Sequence, residues 1–405
     1  MDIYIIMTAS ITKVGGAQLY TNYKREYMES KGFFVEVFSC KPGAILIKDF
    51  DRYKDNIIEE LGFLPMYYRK KRQKRIIERI ATRFEGNDHR IIIESHNTTM
   101  HVWGELLAER LSAKHIVYEI TERSKCKKSL YPFFKFKYER GEMAGIRDSS
   151  LQYYFQDYLK LPVSDRYSLL AYYPSKPVDD VQYDVDCIPD AAPMCTIGIL
   201  GRLDKPFVME VAAQLKDFVE NESGKQYTIV IIGGQKEGNS TQKRIEEIYK
   251  NIGNVSLVFT GYLYPIPRCL LKKIDIGISS SGAVIAMADE NVPTIVIDAH
   301  DMQPLGVYGI TTDNILYRKG EDVVKLSDWI KRIQNHPERY KRNICMEKDD
   351  EDHLAHHLAF INDSERSVKY YTNFPNEFSI KQLILGILGT KKFKRIRTQI
   401  RHILK

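Results

Sequence analysis

Residues 196–205 read TIGILGRLDK, residues 227–234 read YTIVIIGG and residues 274–282 read IDIGISSSG. Each is a short run rich in Ile that ends in glycine. Further strands are expected at 255–259 and 294–297, with helix-period segments between them. Strand, glycine turn and helix in repetition specify a parallel sheet covered by helices on both faces. Gly201, Gly233, Gly234, Gly261 and Gly282 all stand where strands end. Ligands of such sheets lie beyond the carboxyl ends of the strands. The segment therefore predicts a ligand site.

The first half of the chain repeats the pattern. A strand at 2–7, a loop at 8–14, a helix at 17–31 and a strand at 33–39 form a βαβ unit with its own open sheet. Gly15 and Gly16 open the helix, where bare N–H groups can meet an anion. A tight turn that needs small residues is the alternative. A strand at 90–94 ends in Ser95-His96-Asn97, a helix follows at 101–112, and a strand at 115–121 ends at Glu122. His96 and Glu122 are thus expected at carboxyl ends of strands and in one crevice, where imidazole and carboxylate can move protons. A purely structural histidine is the competing reading.

Other segments carry charge. Residues 67–83 contain RKKRQKR and read as a basic amphipathic helix, either a solvated face or a membrane contact. Residues 125–160 mix aromatics with lysines and suit a core or a groove lining, having no nucleic-acid motif. Residues 172–193 read as the connection between halves, and 327–335 and 338–348 as surface helices. His353, His356 and His357 share a helical spacing that can hold zinc, but no fourth ligand or HExxH accompanies them, so a solvated face is the default. At the end, Phe393, Ile396, Ile400, Ile403 and Leu404 form one apolar stripe among seven Lys and Arg of residues 391–405. That pattern marks an interfacial helix on an anionic membrane, with docking on the protein's own surface and nucleic-acid contact as alternatives.

Composition sets the bounds. A chain of 405 residues exceeds one ordinary core, so two domains are expected. With 43% hydrophobic and 28% charged residues it reads as a soluble globular protein. The net charge of +7 favours phosphates, anionic lipid or nucleic acid as partners. The six cysteines have no regular spacing and read as free thiols of a reducing compartment. Neither a signal peptide nor a membrane span is expected.

These motifs, in this order, resemble those of family 4 glycosyltransferases. Gly15-Gly16-Ala17-Gln18 is similar to their GGxE-type loop, and Gly201-Arg202-Leu203-Asp204-Lys205 to their GRL…K segment. Residues 229–234, 258–263 and 274–297 resemble their IVGxG, glycine–tyrosine and "PS…EAMA" segments. The resemblance implies the GT-B fold: two Rossmann-like domains facing each other across a cleft, here with a C-terminal basic amphipathic helix. The domains implied are 1–185 for the acceptor, 186–348 for the nucleotide-sugar, and a helical segment 349–405.

The activity implied is transfer of a sugar from a nucleotide-sugar to a lipid-linked glycan acceptor. It implies a peripheral enzyme of retaining type on the inner face of a plasma membrane, building a surface polysaccharide. Neither a metal nor a cofactor is expected, and nucleic acid is not an expected partner. Arg202 and Lys205 match the family's basic pair, aimed at the departing diphosphate. Gly15 and Gly16 would let backbone approach the diphosphate, and Gly234, Gly261, Ser281, Gly282 and Glu290 are the further positions the resemblance sets against the nucleotide-sugar. The chain departs from the family at its paired glutamates: Ile285 or Ala286 stands at the second, and Asp289 or Glu290, further along, is the available replacement. A catalytically silent scaffold of the same fold is therefore an alternative reading. A sugar-nucleotide epimerase is a third, disfavoured by the basic tail.

Overall fold

The computed structural model describes residues 1–12, 14–86, 89–120, 127–146, 169, 188, 194–222, 224–235, 240–341, 353–364 and 368–375. The chain divides into two compact units, Met1–Tyr172 with Asp350–Lys405, and Tyr173–Asp349.

In the first unit β1 (Ile3–Met7), β2 (Phe34–Phe38), β3 (Ile91–Ser95), β4 (Lys114–Glu119) and β5 (Met143–Gly145) form a five-stranded sheet in the order β2-β1-β3-β4-β5. Every pairing is parallel. Alternation along the strands sorts the side chains. Ile3, Ile5, Met7, Ile91 and Ile93 pack beneath α2 (Lys70–Ala81) and α3 (Thr98–Leu111). Glu94 and His96 point to the opposite face, against Tyr20 and Lys24 of α1 (Gly16–Ser30). Asn97 sets the start of α3, its side chain accepting from the Thr99 and Met100 N–H groups. The first helical residue is thus Thr98, three positions before the expected start. Between β2 and α2 the chain makes three 3-10 turns that periodicity did not reveal. α4 (Tyr131–Glu139) follows β4.

The second unit holds β6 (Met194–Leu200), β7 (Gln226–Ile232), β8 (Val255–Gly261), β9 (Ile276–Ser279), β10 (Thr294–Ile297) and β11 (Pro304–Val307). Their order is β11-β10-β9-β6-β7-β8, parallel except for the antiparallel β10–β11 pair. Ile197, Ile199, Ile229, Ile231, Ile276 and Ile278 face α5 (Pro206–Glu220), α6 (Thr241–Tyr249) and α9 (Leu326–Asn335). Leu200, Val230 and Ile232 face α7 (Arg268–Leu271) and α8 (Ala283–Ala288). Residues 338–341 belong to a 3-10 turn and its exit rather than to the expected helix, whose remainder lies outside the described residues.

α10 (His353–Asp363) belongs to the first unit. Its Leu354, His357, Phe360 and Ile361 are buried. Lys114 donates to the Ile361 carbonyl at 2.7 Å, and the Tyr371 N–H donates to Glu105 at 2.7 Å.

Candidate functional site

In the second unit, the strand order reverses between β6 and β9. β7 and β8 follow β6 on one side, and β9, β10 and β11 continue on the other. The carboxyl ends of β6 and β9 are adjacent, Leu200 paired with Ser279. Ser279 Oγ donates to the Leu200 carbonyl at 2.6 Å, locking the two ends together. Such a reversal point is where open α/β sheets bind ligands.

Three turns build the rim. The Gly201 N–H donates to the Ile232 carbonyl and the Leu203 N–H to the Gly234 carbonyl. Gly233 has φ +151°, and a Cβ there would lie 2.2 Å from the Gly201 oxygen. A Cβ on Gly234 would lie 2.2 Å from the Tyr262 ring. Turn packing thus demands glycine at 233 and 234 before any ligand is considered. Gly261, at φ +69°, faces open space.

Arg202 leaves β6 at this rim. Its Nε lies 3.1 Å from Asp204 Oδ1, and its side chain is one-third exposed. Lys205 is exposed and stands just before α5, whose first residue is Pro206, without a side-chain cap bond. Ser281 has φ +65°, its N–H donates to the Ile315 carbonyl at 2.6 Å, and Gly282 precedes α8. Arg202, Lys205, Ser281 and Gly282 therefore share one edge of one sheet. Glu290 does not join them as a bare carboxylate: Arg268 Nε donates to it at 2.8 Å. Ile285 and Ala286 are buried in α8.

The first unit has its own reversal point, between β1 and β3. The His96 N–H donates to the Met7 carbonyl, and Gln18 Nε2 donates to the Ser10 carbonyl, tying the loop after β1 to α1. Gly15 is extended, at φ 177°, a conformation open to any residue. A Cβ on Gly16 would meet nothing within 4 Å among the described residues. Neither the φ of Gly15 nor a close neighbour of Gly16 among the described residues requires glycine, and no side chain caps α1.

His96 stands at that edge but inside the fold, with 0% exposure. Its Nε2 lies 2.8 Å from Glu94 Oε1, and its Nδ1 has no hydrogen-bond partner among the described residues. Glu94 also accepts from Tyr4 at 2.5 Å and Tyr20 at 2.7 Å, with Lys24 at 3.4 Å. Burial pushes the Glu94 carboxyl up, but Lys24, His96 and His357 outweigh it and hold the group well below the usual carboxylate range. Glu122 and the tail of residues 391–405 lie outside the described residues. β4 itself ends at Glu119, before the expected boundary. His357 is enclosed, 3.3 Å from Tyr20, while His356 is exposed. Among the described residues no His, Cys, Asp or Glu group could hold a metal.

A second buried network escaped the sequence reading. Lys137 pairs with Glu105 and Glu142, each at 2.8 Å, and Glu105 lies 2.6 Å from His115 Nδ1. His115 Nε2 is 2.7 Å from Ser95 Oγ, which is 2.8 Å from His101 Nδ1. His101 Nε2 lies 3.3 Å from Glu119. Burial raises the Glu105 carboxyl, but Lys137 and His115 outweigh it and bring it down to about 2. Burial and Lys137 push His115 down to about 4. The ionised Glu105 therefore takes the Nδ1–H of a neutral His115. Ser95 Oγ lies between the two imidazoles and donates to the bare His115 Nε2. The only signal in sequence was the set of ionisable residues inside apolar segments: His101 and Glu105 in α3, His115 in β4 and Lys137 among phenylalanines.

No protein-family model matches this chain, and no curated protein is similar to it in sequence. Its likeness to solved structures is extensive. A glycosyltransferase from Rickettsia africae ESF-5 superposes with a TM-score of 0.61 at 13% identity, over 96% of this chain and 98% of that one. Anabaena HepE, solved in complex with UDP and glucose, gives 0.50 at 13% identity, over 84% and 92%. A putative UDP-N-acetylglucosamine 2-epimerase from Listeria monocytogenes gives 0.47 at 12% identity, over 98% of each chain. At these identities the likeness is one of fold. The class it defines, with two parallel α/β sheets in one chain, is the GT-B fold.

Proposed function

We propose that this chain is a glycosyltransferase of the family 4 type. It moves a sugar from a nucleotide-sugar to a lipid-linked glycan acceptor, on the cytoplasmic face of an anionic membrane. The observation that carries the reading is the β6–β9 edge, where Arg202, Lys205 and the Ser281–Gly282 turn gather at the reversal point of the sheet. In transfer, the bond from the sugar's anomeric carbon to the phosphate oxygen breaks, and the acceptor oxygen takes its place. The leaving diphosphate gathers charge in the transition state, which a guanidinium, an ammonium and backbone N–H groups stabilise. With retention the new bond lies on the face of the old one. Gly15 and Gly16 leave room at the α1 N-terminus for a further anionic group. His96 and Glu122 are the acceptor-side candidates. No metal is required in this scheme.

The test is a thermal-shift panel of nucleoside diphosphates with the full chain. One of them should raise the melting temperature, and Arg202→Ala should weaken that binding at least tenfold. Absence of any stabilisation rejects the reading. A second reading, a silent GT-B scaffold, draws on the buried Ile285 and Ala286 and on the Glu290–Arg268 pair. It predicts nucleotide binding without release of nucleoside diphosphate from any donor and lipid-diphosphate acceptor.

A further inference from the structure

His96 leaves one buried nitrogen of the first unit unaccounted for. Its backbone N–H is bonded to the Met7 carbonyl, at the point where the first sheet reverses its order between β1 and β3. Open α/β sheets hold ligands at such points. The ring is enclosed, yet Nδ1 has no hydrogen-bond partner among the described residues. Buried polar atoms are nearly always paired, because a bond given up to water is not otherwise recovered.

The surrounding network fixes what this nitrogen lacks. Glu94 is ionised and can only accept, so its 2.8 Å contact puts the ring hydrogen on Nε2 and leaves Nδ1 bare. The carboxylate is itself clamped. Tyr4 donates to Oε2 at 2.5 Å, Tyr20 donates to Oε1 at 2.7 Å, and Lys24 lies 3.4 Å from Oε2. His357 of α10 lies 3.3 Å from the Tyr20 hydroxyl. The fold alone does not need this arrangement, since apolar side chains of the same volume would pack without desolvating two charges. Asn97 comes next along the chain. Its Oδ1 accepts from the Thr99 and Met100 N–H groups, which settles which end of the amide is which. Its Nδ2 is buried and likewise has no hydrogen-bond partner among the described residues.

We propose that Glu94 is a positioning residue that holds His96 Nδ1 as an acceptor, beside the Asn97 amide as a donor, for the hydroxyls of a neutral sugar at the carboxyl end of β3. A hydroxyl gives a proton to a bare nitrogen and takes one from an amide, so it suits both atoms. A carboxylate or a fully ionised phosphate has no proton for Nδ1, and the ammonium of this network, Lys24, is fully buried against Glu94. Glu94, Lys24 and Tyr20 act through the ring and do not touch the sugar. The inference deepens the acceptor side of the function proposed above and rests on it for its purpose.

The experiment uses the full chain with isotope-labelled histidine, read by imidazole nitrogen resonances. In the wild type His96 should show a bare Nδ1 and a protonated Nε2 at neutral pH. Glucose, galactose or mannose should move the Nδ1 signal, and inorganic phosphate should not. Glu94→Gln can turn its amide N–H toward Nε2; it should shift the proton to Nδ1 and weaken the hexose response about tenfold. Asn97→Asp keeps the bonds that start α3 and removes the donor; it should weaken that response about tenfold as well. A protonated Nδ1 in the wild type overturns the proposal. So does a response to phosphate alone, no response to any of the three hexoses, or an unchanged response in a folded Glu94→Gln variant. If that variant does not fold, the wild-type tautomer and the Asn97→Asp titration decide. Nucleoside diphosphate stabilisation, measured on the same samples, reports on the second unit and on the proposed activity separately.

Discussion

Lys137 is the residue on which the interior of the first unit turns. It is fully buried, and it neutralises Glu105 and Glu142 together. Lys137→Met keeps most of the volume and leaves Glu105 without its cation. The expected loss is about 3–5 kcal/mol, the usual cost of orphaning a buried charge. Denaturant unfolding checks it; a loss under about 1 kcal/mol would show the network to be an ornament. The same groups set a dependence on pH. His115 is held neutral in the fold down to about 4, whereas an unfolded histidine protonates near roughly 6.5. Below that value the unfolded chain binds a proton that the folded one refuses. Its contribution is therefore full above roughly pH 6.5 and is lost on the way to 4, on the order of 3 kcal/mol in total. Glu105, held down to about 2, removes more stability only below roughly pH 4.5. Unfolding curves between pH 7 and 4 should slope accordingly, and His115→Asn should flatten them.

At the scale of the element, Gly104 in α3 separates propensity from packing. Alanine in a helix interior usually gains about 1 kcal/mol over glycine. Here a Cβ would stand 2.6 Å from His115 Nε2, the atom that accepts from Ser95. Gly104→Ala should therefore lower stability, by about 1–3 kcal/mol, because the imidazole has no room to give. A higher melting temperature for the variant would contradict the packing argument. The example marks what sequence conveys. Most strands of both sheets were legible because buried parallel strands are apolar runs, as at 227–234; the three-residue β5, inside the aromatic segment 125–160, was not. Their ends moved by a residue or two wherever hydrogen bonding, not hydropathy, decided them. β11 was missed because Pro304 and Gly306 give it no β-branched pattern, and antiparallel pairing to β10 alone makes it a strand. At the candidate site, the positions of Arg202 and Gly282 just after β6 and β9 followed from motif order. The packing demand on Gly233 and Gly234 was not, since it depends on turns more than twenty residues apart.

At the scale of the whole chain, the two compact units are not successive halves, since Asp350–Lys405 belongs with Met1–Tyr172. After the second unit the chain returns, and α10 closes the α1 face of the first sheet. His357 meets Tyr118 edge to face at 4.9 Å and reaches Tyr20, while Phe374 packs on Phe133 at 5.3 Å. The paired groups around Glu94 would meet water if this cover were removed. The three buried apolar side chains of α10, Leu354, Phe360 and Ile361, carry an upper bound of roughly 5–9 kcal/mol, within the range of a domain's whole stability. A chain ending at residue 349 should therefore keep a folded second unit and lose the first. Limited proteolysis should leave a resistant fragment beginning near residue 173, and nucleoside diphosphate should still protect it if Arg202 and Lys205 hold the ligand. Removing only residues 376–405 should leave both units protease-resistant. If the chain ending at 349 resists cleavage in both units, α10 is an appendage, and the first sheet owes its stability to β1–β5 and their own helices.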